Sequence, residues 1–188
     1  NGSTDYLTRT VTSTTDGMYL QGTTYTIEAW VYVTTSNSSS FIIYDCSSTN
    51  TVNFGQTTLY VGSGAAAFAC RPTTGGGATT VTGGTVTLNT WNHIAFSVNA
   101  GSGKLFLNGT QVGVTTTISA ASFTPVGAGI MRFGNGFSSS GDFGYISNLR
   151  IVQNTAVYTA NFTPPTSPLV AITNTSLLTC QSNRFIDN

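Results

Sequence analysis

No stretch constrains the fold of this chain more tightly than residues 91–113, WNHIAFSVNAGSGKLFLNGTQVG. Apolar and polar positions alternate through it, and the alternation is broken twice, at Gly101-Ser102-Gly103 and at Asn108-Gly109. Period-two patterning between such breaks predicts three short strands joined by two tight reversals, a β-meander with Trp91 and Phe96 as core candidates. Asn108-Gly109 is the stronger turn, because both residues tolerate positive φ and a two-residue type I′ turn matches the twist of the flanking strands.

The same pattern recurs along the chain. Residues 5–8 and 17–20 read as an opening strand and a second apolar touch-point. In residues 25–33, Tyr25, Ile27, Ala29, Val31 and Val33 fall on one face and Thr26, Glu28, Trp30 and Tyr32 on the other, as a central strand with two unlike faces requires. The unbroken apolar run 41–44 suits a strand covered on both sides. Residues 52–54, 58–61 and 65–70 continue the series, and 79–82 lies between the glycine runs 75–77 and 83–84. Those runs read as hairpin tips and not as phosphate cradles, because no Lys-Ser/Thr follows and no helix start stands ready to hold the anion. After the meander, 115–128 reads as a loop, and 129–134 and 142–152 as strands. A β-bulge near Ser147-Asn148 is expected, because Ile146, Leu149 and Ile151 break strict alternation. Residues 156–162 are the one expected helical turn, ended by Pro164-Pro165, and 177–180 reads as a returning strand that closes the sheet.

Composition narrows the partners. Charged residues are 6% of the 188 and the formal net charge is zero, so no basic surface for nucleic acid and no cationic face for an anionic membrane is expected. No run of about 20 apolar residues could span a bilayer as a helix. The length fits one domain over residues 1–188, and no internal repeat is evident. The first residue is Asn1, which we read as part of a longer polypeptide. Cys46, Cys70 and Cys180 match no zinc spacing and cannot all pair within one chain. Cys46 and Cys70 could meet on neighbouring strands, but buried thiols serving as small apolar residues are the simpler reading.

Three segments, 26–32, 91–113 and 144–151, together resemble the concanavalin A-like lectin/glucanase superfamily in its laminin G-like (LamG) form. The tail segments 155–165 and 177–187 look like LamG modules of virion proteins from marine and cyanobacterial phages. The resemblance implies an all-β jelly-roll sandwich of two antiparallel sheets with its chain ends near one another. That architecture accommodates many short strands and Gly-rich reversals, since each sheet buries one face against the other.

Because the superfamily includes glucanases, the carboxylates need weighing. Glycoside hydrolysis takes two of them across the scissile bond. The chain has Glu28 and five aspartates, with no Glu-x-Asp-x-x-Glu arrangement and no close pair on one strand face, so no catalytic residue is assigned and the chain reads as non-enzymatic. Glu28 sits in a hydrophobic strand motif, where a structural hydrogen-bonding role is expected. His93, the single histidine, has no Gly-x-Ser-x-Gly elbow to serve and reads as a strand residue near the sheet surface. No organic cofactor is expected. Some LamG modules bind one Ca2+ at the rim, and this resemblance makes Asp142 the candidate metal ligand, with the oxygen-rich loop 135–142 and Asp5 or Asp45 as further donors. For glycans, stacking aromatics come into question at Tyr44, Tyr60, Phe137 and Tyr158, with none singled out.

The expectation is therefore a structural or attachment module at the virion surface, in a tail fibre, head fibre or capsid decoration. Its partners would be other virion or surface proteins, copies of itself in a homo-oligomer, and cell-surface glycans. A carbohydrate-binding lectin is the alternative. A secreted bacterial adhesin or appendage subunit, extracellular or at the cell surface, fits the same composition.

Overall fold

Strand β2, Tyr25–Val33, shows how the pattern becomes structure. Its five odd-numbered side chains are fully buried in the interior, and Thr26, Glu28, Trp30 and Tyr32 take the opposite face. The computed structural model describes residues 6–11, 20, 22–35, 40–47, 57–70, 78–118, 129–135 and 144–181. Within them run twelve strands and no helix. They are β1 (Leu7–Val11), β2, β3 (Ser40–Ser47), β4 (Thr57–Gly62), β5 (Ala65–Cys70), β6 (Thr79–Gly83), β7 (Trp91–Asn99), β8 (Ser102–Leu107), β9 (Thr110–Thr117), β10 (Gly129–Phe133), β11 (Gly144–Gln153) and β12 (Thr175–Thr179).

The strands form two six-stranded antiparallel sheets. Sheet A has the order β1-β10-β3-β4-β5-β6, and sheet B the order β12-β11-β2-β7-β8-β9. Consecutive neighbours build β3 to β6, β7 to β9 and the β11–β12 pair, and the other connections pass between the sheets, which is the jelly-roll sandwich the resemblance implies. The inner faces meet in one core, where Phe68 of β5 stacks on Phe96 of β7 with ring centroids 3.6 Å apart and planes within 7°. That pair joins the two sheets, and such pairs add about 0.5–1.5 kcal/mol beyond the area they bury. The sandwich closes along the edge where β6 meets β9; a β-carbon on Gly83 would lie only 2.4 Å from the Gly113 nitrogen.

Most local expectations hold. Asn108 and Gly109 adopt φ of 49° and 79°, as a type I′ turn requires. The register of β11 against β2 shifts between Ser147 and Arg150, with Asn148 at φ 52°, which is the expected bulge. Four expectations need correction. Residues 156–162 are not helical, because the Val157 and Tyr158 amides bond to the Thr26 and Ser97 hydroxyls and the Phe162 amide to the Gly109 carbonyl. The stretch from 115 is not all loop, since β9 pairs with β8 as far as Thr117. Cys46 and Cys70 are not on neighbouring strands: Thr57 of β4 stands between them in register, and no disulfide forms. Trp91, expected in the core beside Phe96, lies on the outer face and is 45% exposed. The strand expected at 52–54, the hairpin tip at 75–77 and both chain ends lie outside the described residues.

Candidate functional site

Alternation gives each sheet an outer face, and the two differ. On sheet A, one row runs Thr8, Arg132, Asp45, Thr58, Ala69, Thr80 across all six strands in register. Beside it runs Ile42, Tyr60, Ala67, Thr82. Between these rows lies a groove of about 310 Å³, lined by Ser40, Ile42, Thr58, Tyr60, Ala69 and Thr80 among others. Its volume is at the lower end of small-ligand sites. The floor is apolar at Ile42 and Ala69, and the walls carry hydroxyls. Tyr60 is half-buried, and its ring lies along its own strand over Gly62, where a β-carbon would come within 2.8 Å of Cε2. Thr58 Oγ1 donates to Asp45 Oδ1 at 3.0 Å, so its oxygen is left as an acceptor for a ligand. Arg132 Nη1 lies 3.7 Å from Asp45 Oδ2.

Burial raises the pKa of the Tyr60 phenol, which keeps it a hydrogen-bond donor at neutral pH. Burial likewise pushes the Cys70 thiol, also on the groove, up to about 11, so it is not a thiolate nucleophile. The groove thus offers one aromatic ring, an apolar floor and uncharged hydroxyls. That set suits a small neutral polyol and contains no pair of carboxylates.

On the outer face of sheet B the central residue is Glu28, fully buried. Arg150, opposite it on β11, donates through Nε at 2.8 Å and Nη2 at 2.5 Å to Oε1. His93 Nε2 at 3.0 Å and the Tyr158 hydroxyl at 2.7 Å donate to Oε2. The carboxylate accepts from the ring and so requires the Nε2–H tautomer of His93. The ring's Nδ1 is buried with no hydrogen-bond partner among the described residues. Burial alone would raise the Glu28 pKa, but the His93 hydrogen bond, the Arg150 charge and the Tyr158 hydrogen bond together hold it below the ordinary glutamate value. Burial and the adjacent Glu28 charge raise the Tyr158 phenol. The cluster lies under a strap formed by residues 155–170. Val170 accepts from Arg150 Nη1, Thr159 from Lys104, and Tyr158 stacks on Phe162 at 3.6 Å. With every Glu28 lone pair engaged and the strap above it, this is a structural lock.

Asp142, Asp5 and Phe137 lie outside the described residues. Asp45, the further calcium donor, is buried with Thr58 and the Arg132 cation against it, which does not suit a divalent cation; among the described residues no three His, Cys, Asp or Glu side chains cluster as metal ligands. Of the aromatics, Tyr44 is core, Tyr158 belongs to the Glu28 cluster and only Tyr60 lines the groove. Glu28 has its expected hydrogen-bonding role. His93 is not at the sheet surface but fully buried against Glu28, because the strap covers the face on which it stands. The groove residues Thr58 and Thr80 were missed, since a lone threonine in a Thr-rich strand carries no signal until register aligns it with others.

A family model described as the concanavalin A-like lectin/glucanases superfamily matches residues 1–157. No curated protein matches by sequence. Among solved structures, the chain is similar to the botulinum neurotoxin serotype D binding domain, with TM-score 0.60 and 12% identity over 83% of this chain; it spans 38% of that one. It is similar to the CBM40 of the Ruminococcus gnavus IT-sialidase, bound to α2,3 sialyllactose, with TM-score 0.52 and 17% identity over 67% of this chain and 76% of that one. It is also similar to domain 4 of AbnA, a GH43 extracellular arabinanase from Geobacillus stearothermophilus, in complex with arabinotriose, with TM-score 0.53 and 18% identity over 76% of this chain and 64% of that one. These likenesses show the fold.

Proposed function

From a chain that belongs to the concanavalin A-like lectin/glucanases superfamily, we propose a non-catalytic binding module that takes a short neutral saccharide in the groove on sheet A. The observation that carries this reading is the groove itself, where the Tyr60 ring stands beside the hydroxyls of Ser40, Thr58 and Thr80 over an apolar floor. A pyranose has the same two-sided character: C–H faces that pack on an aromatic ring and hydroxyls that exchange hydrogen bonds. Two structures of the same fold, a CBM40 and an arabinanase domain, hold sialyllactose and the uncharged arabinotriose, which supports a saccharide as the ligand. Catalysis has no support among the described residues, because Glu28 and Asp45 stand on the outer faces of different sheets, each already engaged.

The test is a glycan array followed by calorimetry on the best binder. Tyr60→Ala should weaken binding about tenfold, the loss of roughly 1.4 kcal/mol that one stacked ring supplies, with the melting temperature little changed. An array with no binder, or unchanged affinity in Tyr60→Ala, would refute the groove. The place of action in this reading is the outside of a phage particle, as an attachment or decoration component, and its support is the resemblance of 155–165 and 177–187 to virion modules. Antibody labelling of purified particles tests it, and labelling of a bacterial surface instead would favour an adhesin.

A further inference from the structure

The strap covers only part of the outer face of sheet B. Beyond it, Tyr145, Tyr32 and Trp91 stand side by side on β11, β2 and β7, each directly opposite the next in register. Ring centroids are 6.0 Å apart from Tyr145 to Tyr32 and 5.7 Å from Tyr32 to Trp91, with interplanar angles of 65° and 67°. Tyr145 is 65% and Trp91 45% exposed, and Tyr32 is half-buried between them. Below this row, Trp30 pairs with Ser147 and His93 and packs its ring on His93 at 5.2 Å, so the strip is seated on the Glu28 lock.

We infer that this strip is a second carbohydrate-binding surface, on the side of the sandwich opposite the groove, and that its ligand is an extended, uncharged, equatorially linked polysaccharide. Three properties select that occupant. The row is straight, because strands in register hold its members at one height on the sheet, and its rings follow one another at 5.7–6.0 Å, close to one pyranose, with Tyr32 turned 65–67° from both neighbours. Equatorial linkages give an extended ribbon with an apolar C–H face, which the exposed Tyr145 and Trp91 at the two ends of the row can pack against. The strip itself also carries no charge, and Glu28 and Arg150 on the same face of β2 and β11 are buried against each other. Among the described residues, charged ligands have nothing to pair with there. Polar tips remain at both ends, an indole N–H and a phenol, to bond sugar hydroxyls.

A protein partner or a second copy fits less well. Aromatic side chains bury about 150–250 Å² each, and these three are already partly covered, so the strip offers on the order of 300 Å² against the roughly 800 Å² per partner of a stable interface. The strip and the groove do not share a residue or a sheet, so one can fail without the other.

Depletion assays on microcrystalline cellulose and on chitin test the inference, using the full chain and the variants Tyr145→Ala, Trp91→Ala and Tyr60→Ala. The wild type should be retained on at least one solid, and retention should persist at about 1 M salt, where contacts between exposed charges are screened. Tyr145→Ala and Trp91→Ala should lower the partition constant about tenfold, and Tyr60→Ala should leave it unchanged. If Trp91→Ala melts early, Tyr145→Ala decides alone, because its side chain is mostly in solvent. Retention on neither solid overturns the inference, as does equal retention of Tyr145→Ala. So does a concentration-dependent dimer in sedimentation that Tyr145→Ala dissolves. Loss of soluble-glycan binding in Tyr60→Ala with retention intact would leave both sites standing.

Discussion

Replacing Glu28 by Gln keeps the size of the side chain and removes its charge, which leaves the Arg150 guanidinium buried without its counterion. Breaking a buried pair in this way costs about 3–5 kcal/mol, and chemical denaturation of Glu28→Gln should show a loss of that order. Glu28→Met with Arg150→Met should cost less than Glu28→Gln alone, since no charge is then stranded. The pH dependence follows from the same residue. Its folded pKa lies below the ordinary glutamate value of 4.5, so the native state holds the carboxylate and the unfolded state takes up the proton first. The stability it contributes is complete above about pH 4.5 and is lost as pH falls through the folded value. Melting temperatures should therefore be level from neutrality to about pH 5 and decline below. The sequence placed Glu28 on the outward face of β2 and suggested its role. It could not show that this outward face is buried, because the strap that covers it comes from residues about 130 positions away.

The elements repeat this division. The Asn108-Gly109 reversal was legible because a type I′ turn needs two consecutive positive φ values, and few residue pairs supply them. What presses on the turn was not legible. The Phe162 amide donates to the Gly109 carbonyl at 2.9 Å, and a β-carbon on Gly109 would collide with the Phe162 carbonyl oxygen at 1.9 Å. Gly109→Ala should accordingly cost more than the 1–2 kcal/mol of a left-handed conformation alone, and faster hydrogen exchange at Phe162, with proteolysis inside 155–165, is the measurement that shows it. Asn108→Ala should weaken the turn without freeing the strap. The strap's residues 156–162, which include Tyr158 and Phe162, read as a helical turn ended by Pro164-Pro165. In the fold those rings stack from an extended chain, because β2, β7 and the β8–β9 turn take the amides a helix would use. On β7, parity alone separates Trp91 from Phe96: odd positions face outward and even ones inward, which was the available signal for an exposed Trp91.

The whole molecule depends on the contact between its sheets. Phe68→Ala would open a cavity at the stacked pair that joins them and should cost about 3–5 kcal/mol, read as a lowered denaturation midpoint with the slope unchanged. The family model ends at residue 157, whereas the strap and β12 (Thr175–Thr179) lie beyond it on sheet B, so this C-terminal stretch is part of the folded unit. Alternation and turn chemistry were enough to specify antiparallel strands, two tight turns, a bulge and the inward face of β2, because those properties depend on neighbours one to four residues apart. Register between strands distant in sequence decided the rest. It aligned Tyr60, Thr58 and Thr80 around one groove, brought Arg150, His93 and Tyr158 onto Glu28, and set Tyr145, Tyr32 and Trp91 in one row. Each of these groupings joins side chains whose proximity exists only once the sheets have formed, and no local pattern records it.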